Sequence, residues 1–187
     1  CALRYDEVAR VWVPQRGDAF ETTVPSVFAV GDGAGIGGAV AAADEGCIAG
    51  IAAARRLGAQ ADAESATRQR RARERLRRLG RFRRAMDAAY GLPPAVLEAA
   101  LPDTIVCRCE DVRRRQLDEA IADGARTPGQ LKAWTRAGMG PCQGRMCFLN
   151  TSELLRRATG QSIAALGPPS IRPPIKPVAI DALVSSE

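Results

Sequence analysis

Four of the six cysteines fall in two close pairs, Cys107-Arg108-Cys109 and Cys142-Gln143-Gly144-Arg145-Met146-Cys147, with 32 residues between the pairs. A buried cysteine usually acts alone as a small hydrophobe. These pairs instead sit in polar, glycine-rich segments, Arg108 to Asp111 and Gly138 to Arg145, that can fold inward around one ion or cluster. The chain contains no histidine. That removes Rieske centres, His-containing zinc fingers and zinc hydrolases, and leaves all-thiolate sites. Zinc hairpins usually separate their paired ligands by about two to four residues, so the second pair suits zinc and the first is too tight. A [2Fe–2S] cluster needs two thiolates on each of two irons and accepts a short extended Cys-x-Cys. Iron–sulfur is therefore favoured, with a zinc-stabilised, Arg-rich nucleic-acid-binding module as the alternative. Arg108, Arg113, Arg136 and Arg145 lie within a few residues of the thiols, and such cations favour thiolates. Of the remaining cysteines, Cys47 is expected as a helix core residue, and Cys1 supports no inference.

The residues around the pairs carry a resemblance. Thr104 to Val112 (Thr-Ile-Val-Cys-Arg-Cys-Glu-Asp-Val), then Leu131-Lys132 and Thr135 to Cys147 (Thr-Arg-Ala-Gly-Met-Gly-Pro-Cys-Gln-Gly-Arg-Met-Cys), resemble the [2Fe–2S] domain related to bacterioferritin-associated ferredoxin. The version most similar lies at the C-terminal end of flavoprotein subunits of opine oxidases, hydrogen cyanide synthase and D-hydroxyproline dehydrogenase. The resemblance covers about Asp103 to Leu166 and implies that Cys107, Cys109, Cys142 and Cys147 are the cluster ligands.

A second chemical stretch lies earlier. Val24 to Val30 is a short apolar run expected to be a buried strand, ending at Gly31-Asp32-Gly33, and from Gly37 small and apolar residues recur at helical spacing to Gly58. Gly33-Ala34-Gly35-Ile36-Gly37-Gly38 formally satisfies the dinucleotide fingerprint. However, that fingerprint expects a second strand after the helix, and here an Arg-rich helical segment follows. Taken from Thr22 to Asp32, the stretch resembles the second flavin-binding motif of two-dinucleotide-binding-domain flavoproteins, with Ser26 where that family commonly has glycine. The resemblance implies that Asp32 accepts hydrogen bonds from the ribityl chain of FAD. Gly31 would allow close approach, and the helix N-terminus around Gly33, Gly38 and Ala39 would face the isoalloxazine ring.

Other segments must position these two. Leu3 to Val13 reads as a hairpin or strand edge broken by Pro14 and Gly17. Ala61 to Tyr90 reads as one or two amphipathic helices, with Ala72, Leu76, Leu79, Phe82 and Met86 on one face and arginines on the others. A solvated connector is favoured there over a nucleic-acid surface. Gly91-Leu92-Pro93-Pro94 marks a break. Helices are expected over Val112 to Asp123, from a Thr127-Pro128 start, and from near Cys147 to Gly160. After Gly167 a proline-rich tail is expected to drape over a neighbouring surface.

These elements define the expected organisation. The fold class is mainly α with a small β segment: a C-terminal strand–turn–helix of an FAD domain (1–60), an Arg-rich connector (61–102), a small all-helical [2Fe–2S] domain (103–166) and an extended tail (167–187). Of 27 basic residues, 25 are arginine, and the net charge is +6. No apolar run approaches the ~20 residues that span a bilayer, so no membrane span is expected, and a bacterial, reducing cytoplasm suits the thiols. The chain begins at Cys1 and is expected to be the C-terminal piece of a longer protein whose upstream FAD/NAD(P)-type domain supplies most of the flavin site. The resemblance implies electron transfer between FAD and the cluster. It also implies oxidation of an amino acid or opine-like secondary amine at its C–N bond, with a partner flavoprotein subunit. No residue here is a convincing general base, so no catalytic residue is assigned.

Overall fold

The computed structural model describes residues 1–60, 62–91, 93–171, 173–174 and 177–184, and in one short helix omits the side chains of Pro94 and Leu97. The expected connector start at Ala61, Leu92 of the Gly91–Pro94 break, and part of the proline-rich tail (172, 175–176 and 185–187) lie outside the described residues. The chain divides into two compact units, Cys1–Leu92 and Pro93–Glu187.

In the first unit, β1 (Leu3–Asp6) pairs antiparallel with β2 (Val11–Pro14), Leu3 opposite Pro14 and Asp6 opposite Val11. Asp6 Oδ1 closes the turn by accepting from the N–H groups of Val8 and Ala9 at 3.1 and 2.9 Å, which is how a short acidic side chain replaces a missing ladder partner. Tyr5 and Trp12 pack across the strands with centroids 5.5 Å apart and ring planes tilted by 56°, a stabilising cross-strand pair.

The expected strand over Val24 to Val30 does not form. That stretch makes one isolated bridge, Glu21 to Phe28, and Val24, Val27 and Val30 are 40, 47 and 38% exposed. A buried strand needs ladder partners and a covering layer, and this unit offers the run neither.

A 3-10 turn (Gly31–Ala34) leads to α1 (Ala39–Arg56), which packs against α2 (Ala63–Ala89). α2 is one continuous helix: Arg and Ala dominate it, both good helix formers, and Asp62 caps it by accepting from Ser65 N at 2.6 Å. Backbone and side-chain hydrogen bonds from Ser65 hold the Asp62 carboxyl below its ordinary range. Its expected apolar face is largely open: Ala72 is fully buried, but Phe82 is 64% exposed. The α1–α2 contact is fixed instead by Arg75, whose guanidinium forks onto the buried carboxylate of Asp44. Ile48, Ala49 and Ala41 complete the small core with Ala72 and Val13.

The second unit is not all-helical. β3 (Ile105–Cys107) pairs antiparallel with β4 (Val112–Arg113), the register shifting between Ile105 and Cys107. Three helices enclose this hairpin: α4 (Arg114–Ala122), α5 (Pro128–Thr135) and α6 (Phe148–Thr159). The short α3 (Pro94–Glu98), α7 (Ile163–Leu166) and α8 (Asp181–Val184) lie outside that bundle in sequence. α5 begins as its sequence requires: Thr127 Oγ1 accepts from Gln130 N at 3.2 Å, while Gln130 Oε1 accepts from Thr127 N, with Pro128 at the first position, a reciprocal capping box. Leu117, Leu131 and Leu155 are fully buried together with Cys107 and Cys147. Each such leucine contributes about 1.5–3 kcal/mol on burial. Among the described residues, no helix is long and apolar enough to cross a membrane.

Candidate functional site

Cys107 ends β3, Cys109 lies in the turn that follows, Cys142 opens the glycine loop, and Cys147 stands at the N-cap of α6. The fold brings all four thiols into one neighbourhood. Cys107 and Cys147 belong to the same buried core, and both Cys107 and Cys142 lie close enough to act on the Cys147 thiol. Cys142 and Cys107 likewise act on the Cys109 thiol. One pair is an inner one, since Cys107 and Cys147 are 1% and 2% exposed, whereas Cys109 is exposed and Cys142 half-buried.

The backbone prepares the outer pair for thiolate chemistry. N–H groups of Met146, Gly144 and Arg145 are directed at Cys142 and, with the Cys109 thiol, hold it below the ordinary thiol value against the opposing effect of burial. A Cys142 backbone N–H also lowers Cys109, but the Cys142 thiol, burial and the charges of Cys142 and Cys107 outweigh it and leave Cys109 raised. Burial pushes the Cys147 thiol up to about 12, with Cys107 adding to it. A dianionic or trianionic thiolate set thus needs a cation to form.

Three glycines make room for the set. A side chain at Gly140 would overlap Cys109, and one at Gly138 would meet Gly144 Cα at 3.5 Å and the Cys147 sulfur at 3.9 Å. Gly138 and Gly144 also have φ of +87° and +83°, a region that favours glycine. Gln143, between them in chain order and itself at φ +51°, donates from Nε2 to Pro174 O at 3.0 Å, so the tail rests on this loop.

Of the four arginines expected near the thiols, three are held by oxygen acceptors. Arg136 Nε pairs with Glu110 Oε2 at 2.8 Å, tying the end of α5 to the Cys109 turn, and Arg113 donates to Asp103 O at 2.9 Å. Arg145 donates to Cys142 O at 3.3 Å. Glu110, Gly140 and Gln143 were not singled out by sequence. The segments Arg108 to Asp111 and Gly138 to Arg145 hinted at them only as stretches.

Among the described residues, no group of three or more His, Cys, Asp and Glu side chains is arranged to hold a single metal ion. Four thiols are the donor count of a Cys₄ zinc site and also of a [2Fe–2S] cluster, with two sulfurs for each iron. The donor set, the backbone N–H groups on Cys142 and the bare glycine floor fit such a group.

In the first unit the turn residues expected at the flavin also come together. Asp32 Oδ1 accepts from Gly37 N and Gly38 N, both at 3.1 Å, and Oδ2 makes no hydrogen bond among the described residues. Gly31 (φ +69°) donates to Glu45 Oε2 at 2.8 Å, and Glu45 is held by a two-pronged pair with Arg16. A side chain at Gly31 would meet Ala42 Cβ at 3.2 Å, so the turn lies flat on α1. Gly38 (φ +86°) caps α1 without a side-chain acceptor, Ala39 is its first residue, and Gly33 is open on all sides. An exposed helix N-terminus with a carboxylate beside it is a place where a polar ligand edge can meet N–H donors. Cys47 is half-buried on α1 and belongs to neither site.

Residues 102–187 match the family model described as the sarcosine oxidase A3 domain. An opine oxidase subunit of Agrobacterium tumefaciens (strain Ach5) is 38% identical over 181 residues, which is 96% of this chain and 36% of that protein. Hydrogen cyanide synthase subunit HcnB of Pseudomonas aeruginosa is 38% identical over 163 residues, 87% of this chain and 34% of that protein. The crystal structure of L-proline dehydrogenase from P. horikoshii superposes with a TM-score of 0.74 at 24% identity, covering 97% of this chain and 34% of that one, a likeness of fold. The chain spans about a third of the length of the curated relatives it matches.

Proposed function

We propose that this chain is the electron-transfer part of a subunit of a flavin-dependent oxidoreductase. In this proposal Cys107, Cys109, Cys142 and Cys147 hold a [2Fe–2S] cluster and the Asp32 turn contacts FAD. The observation that carries it is the meeting of four thiols in one glycine-floored loop system. When bound, such a cluster supplies a one-electron relay for a two-electron flavin. The chain's own contribution is to bind and tune it. Backbone N–H groups of Gly144, Arg145 and Met146 stabilise negative charge on the Cys142 sulfur, the kind of hydrogen bonding that sets cluster potentials. Burial keeps water from Cys107 and Cys147.

For FAD, the free Oδ2 of Asp32 is the acceptor for a ribityl hydroxyl, and Gly31, Gly33, Gly38 and Ala39 form the open floor beside it. Most of the flavin site belongs to an upstream FAD/NAD(P)-type domain. The relatives are named as subunits of an opine oxidase and a hydrogen cyanide synthase. By that likeness the substrate is an amino acid or opine-like secondary amine oxidised at its C–N bond, in the bacterial cytoplasm, with a partner flavoprotein subunit performing the substrate chemistry. The domain divisions proposed are 1–60, 61–102, 103–166 and 167–187. A zinc-stabilised nucleic-acid module is disfavoured, because Cys107-x-Cys109 is tighter than the paired ligands of zinc hairpins.

The test is anaerobic purification with iron and sulfide analysis and a visible spectrum. The expected result is about two irons and two sulfides per chain, as a [2Fe–2S] cluster requires, and absorbance that bleaches with dithionite. Serine at any of the four ligand positions should remove or shift that absorbance, while Cys47→Ser leaves it intact. A colourless protein with one zinc per chain would sink the proposal.

A further inference from the structure

The arginines of α2 are not all paired. Arg68 pairs with Glu64, Arg83 with Asp87 and Arg75 with Asp44, as a surface helix ordinarily arranges its charges. Arg73, Arg77, Arg81 and Arg84 differ: they make no hydrogen bond or ion pair among the described residues, and all four line one groove of ≈ 990 Å³. Arg73/Arg77 and Arg77/Arg81 are like-charge i,i+4 neighbours and Arg81/Arg84 an i,i+3 pair, an arrangement that disfavours a helix unless an anion relieves it.

The opposite wall of the groove comes from the segment after β2, where Arg16 stacks over Phe20 at 4.7 Å from the ring centroid. Phe20 and Leu76, both half-buried, add apolar surface of the kind a base or sugar covers. Asp18 and Glu74 are the acidic residues of the lining, and Glu74 is drawn toward Arg78 at 4.0 Å. Gly80 leaves the middle of the helical wall bare, its nearest neighbour being the Arg84 guanidinium at 3.8 Å from where a Cβ would stand. From Arg73 to Arg84 the helix rises about 16 Å, long enough for several phosphates in a row. Duplex nucleic acid takes a convex helix into its groove. These arginines line a concavity, which suits a small polyanion.

We propose that this groove binds a polyphosphate-bearing nucleotide, with its phosphates held by Arg73, Arg77, Arg81 and Arg84. Guanidinium forks are matched to phosphate oxygens, and the lining of the groove shares no residue with the thiol set or the Asp32 turn. Calorimetric titration of the whole chain with ATP and with inorganic pyrophosphate, at physiological ionic strength, tests it. Saturable one-site binding is expected, weakened about tenfold or more in Arg77→Gln/Arg81→Gln by loss of charge-assisted hydrogen bonds. Arg70→Gln/Arg71→Gln removes the same charge from the same helix outside the groove and should change affinity less than about twofold, as screened surface charges do. If the groove double variant loses helicity, Arg84→Gln alone, at an exposed position, carries the comparison. No saturable binding, equal weakening by both double variants, or displacement of ATP by duplex DNA at lower concentration would each overturn the proposal.

Discussion

Gly140 stands directly against Cys109: a Cβ on residue 140 would overlap the Cys109 Cβ and lie 3.3 Å from both its sulfur and Glu110 Oε1. The neighbour is the backbone-proximal Cβ of the Cys109 turn, which the Arg136–Glu110 pair ties to the end of α5. Gly140→Ala should therefore destabilise the second unit by about 1–3 kcal/mol, as overpacking does. It should also shift or abolish the visible spectrum of iron- and sulfide-reconstituted protein. A variant with unchanged melting and unchanged spectrum would show that the turn yields.

The grouping of the thiols was legible because the cysteines fall in two local pairs and few chemistries suit them: two tight cysteine pairs and a histidine-free chain leave few open. The caps of α5 and α6 were legible for a similar reason, since Thr127, Pro128 and Gln130 act within one turn. The failures were all tertiary. Val24 to Val30 has the composition of a buried strand, yet burial depends on a covering layer that no local pattern encodes. β3 and β4 were missed because three- and two-residue strands are too short for alternation to register. Glu45 and Arg16, which hold Gly31, lie 14 and 15 residues from it, beyond any turn or helix rule.

The Glu45–Arg16 pair is the least exposed ion pair of the first unit among the described residues, at 12% and 19% for the two side chains. Glu45 also accepts from Gly31 N at 2.8 Å. Glu45→Ala strands a guanidinium and a turn N–H together, and is expected to reduce stability by about 3 kcal/mol, near the lower end for a broken buried pair. Arg16→Ala/Glu45→Ala should be less destabilising than the sum of the single variants in urea unfolding. Additivity would mean that the two charges do not depend on each other.

Ser26 has φ +66°, at the position where the flavin-motif resemblance expects glycine. Its side chain is not needed for the contact it makes, since the backbone N–H donates to Glu21 Oε1 at 2.7 Å. Ser26→Gly should be neutral to about 1 kcal/mol stabilising, and Ser26→Val destabilising by about 1–2 kcal/mol, because a left-handed backbone penalises a branched side chain. Equal melting temperatures for the two variants would argue against that strain.

Glu153 is buried on α6 beneath Arg156 and Arg157, and hydrogen bonds from Arg156 first, then Arg157, hold its carboxyl below its ordinary value against the opposing effect of burial. A lowered folded value means that the folded protein binds the proton more weakly than the unfolded chain. The stabilisation is thus fully present above the unfolded value of about 4.3 and is lost as pH falls from there through the folded value. Glu153→Gln should lower stability at pH 7 and flatten the acid limb of the stability–pH curve. An acid limb identical to that of the parent protein would mean that other carboxylates account for it.

Asp32 has two separable tasks, and two substitutions distinguish them. Its Oδ1 accepts from Gly37 N and Gly38 N, which braces the entry to α1, while its negative charge and second oxygen are what the proposed flavin contact uses. Asp32→Asn keeps an acceptor for the two N–H groups and should change thermal stability little. Asp32→Ala leaves both without that acceptor and should cost about 1–2 kcal/mol, as loss of a helix-entry acceptor does. In protein that contains the upstream domain, both variants should retain less FAD than the parent, with iron and sulfide content unchanged because Asp32 and the thiols belong to different compact units. Full flavin retention in Asp32→Asn would confine Asp32 to its structural task and refute its assignment to the ribityl chain.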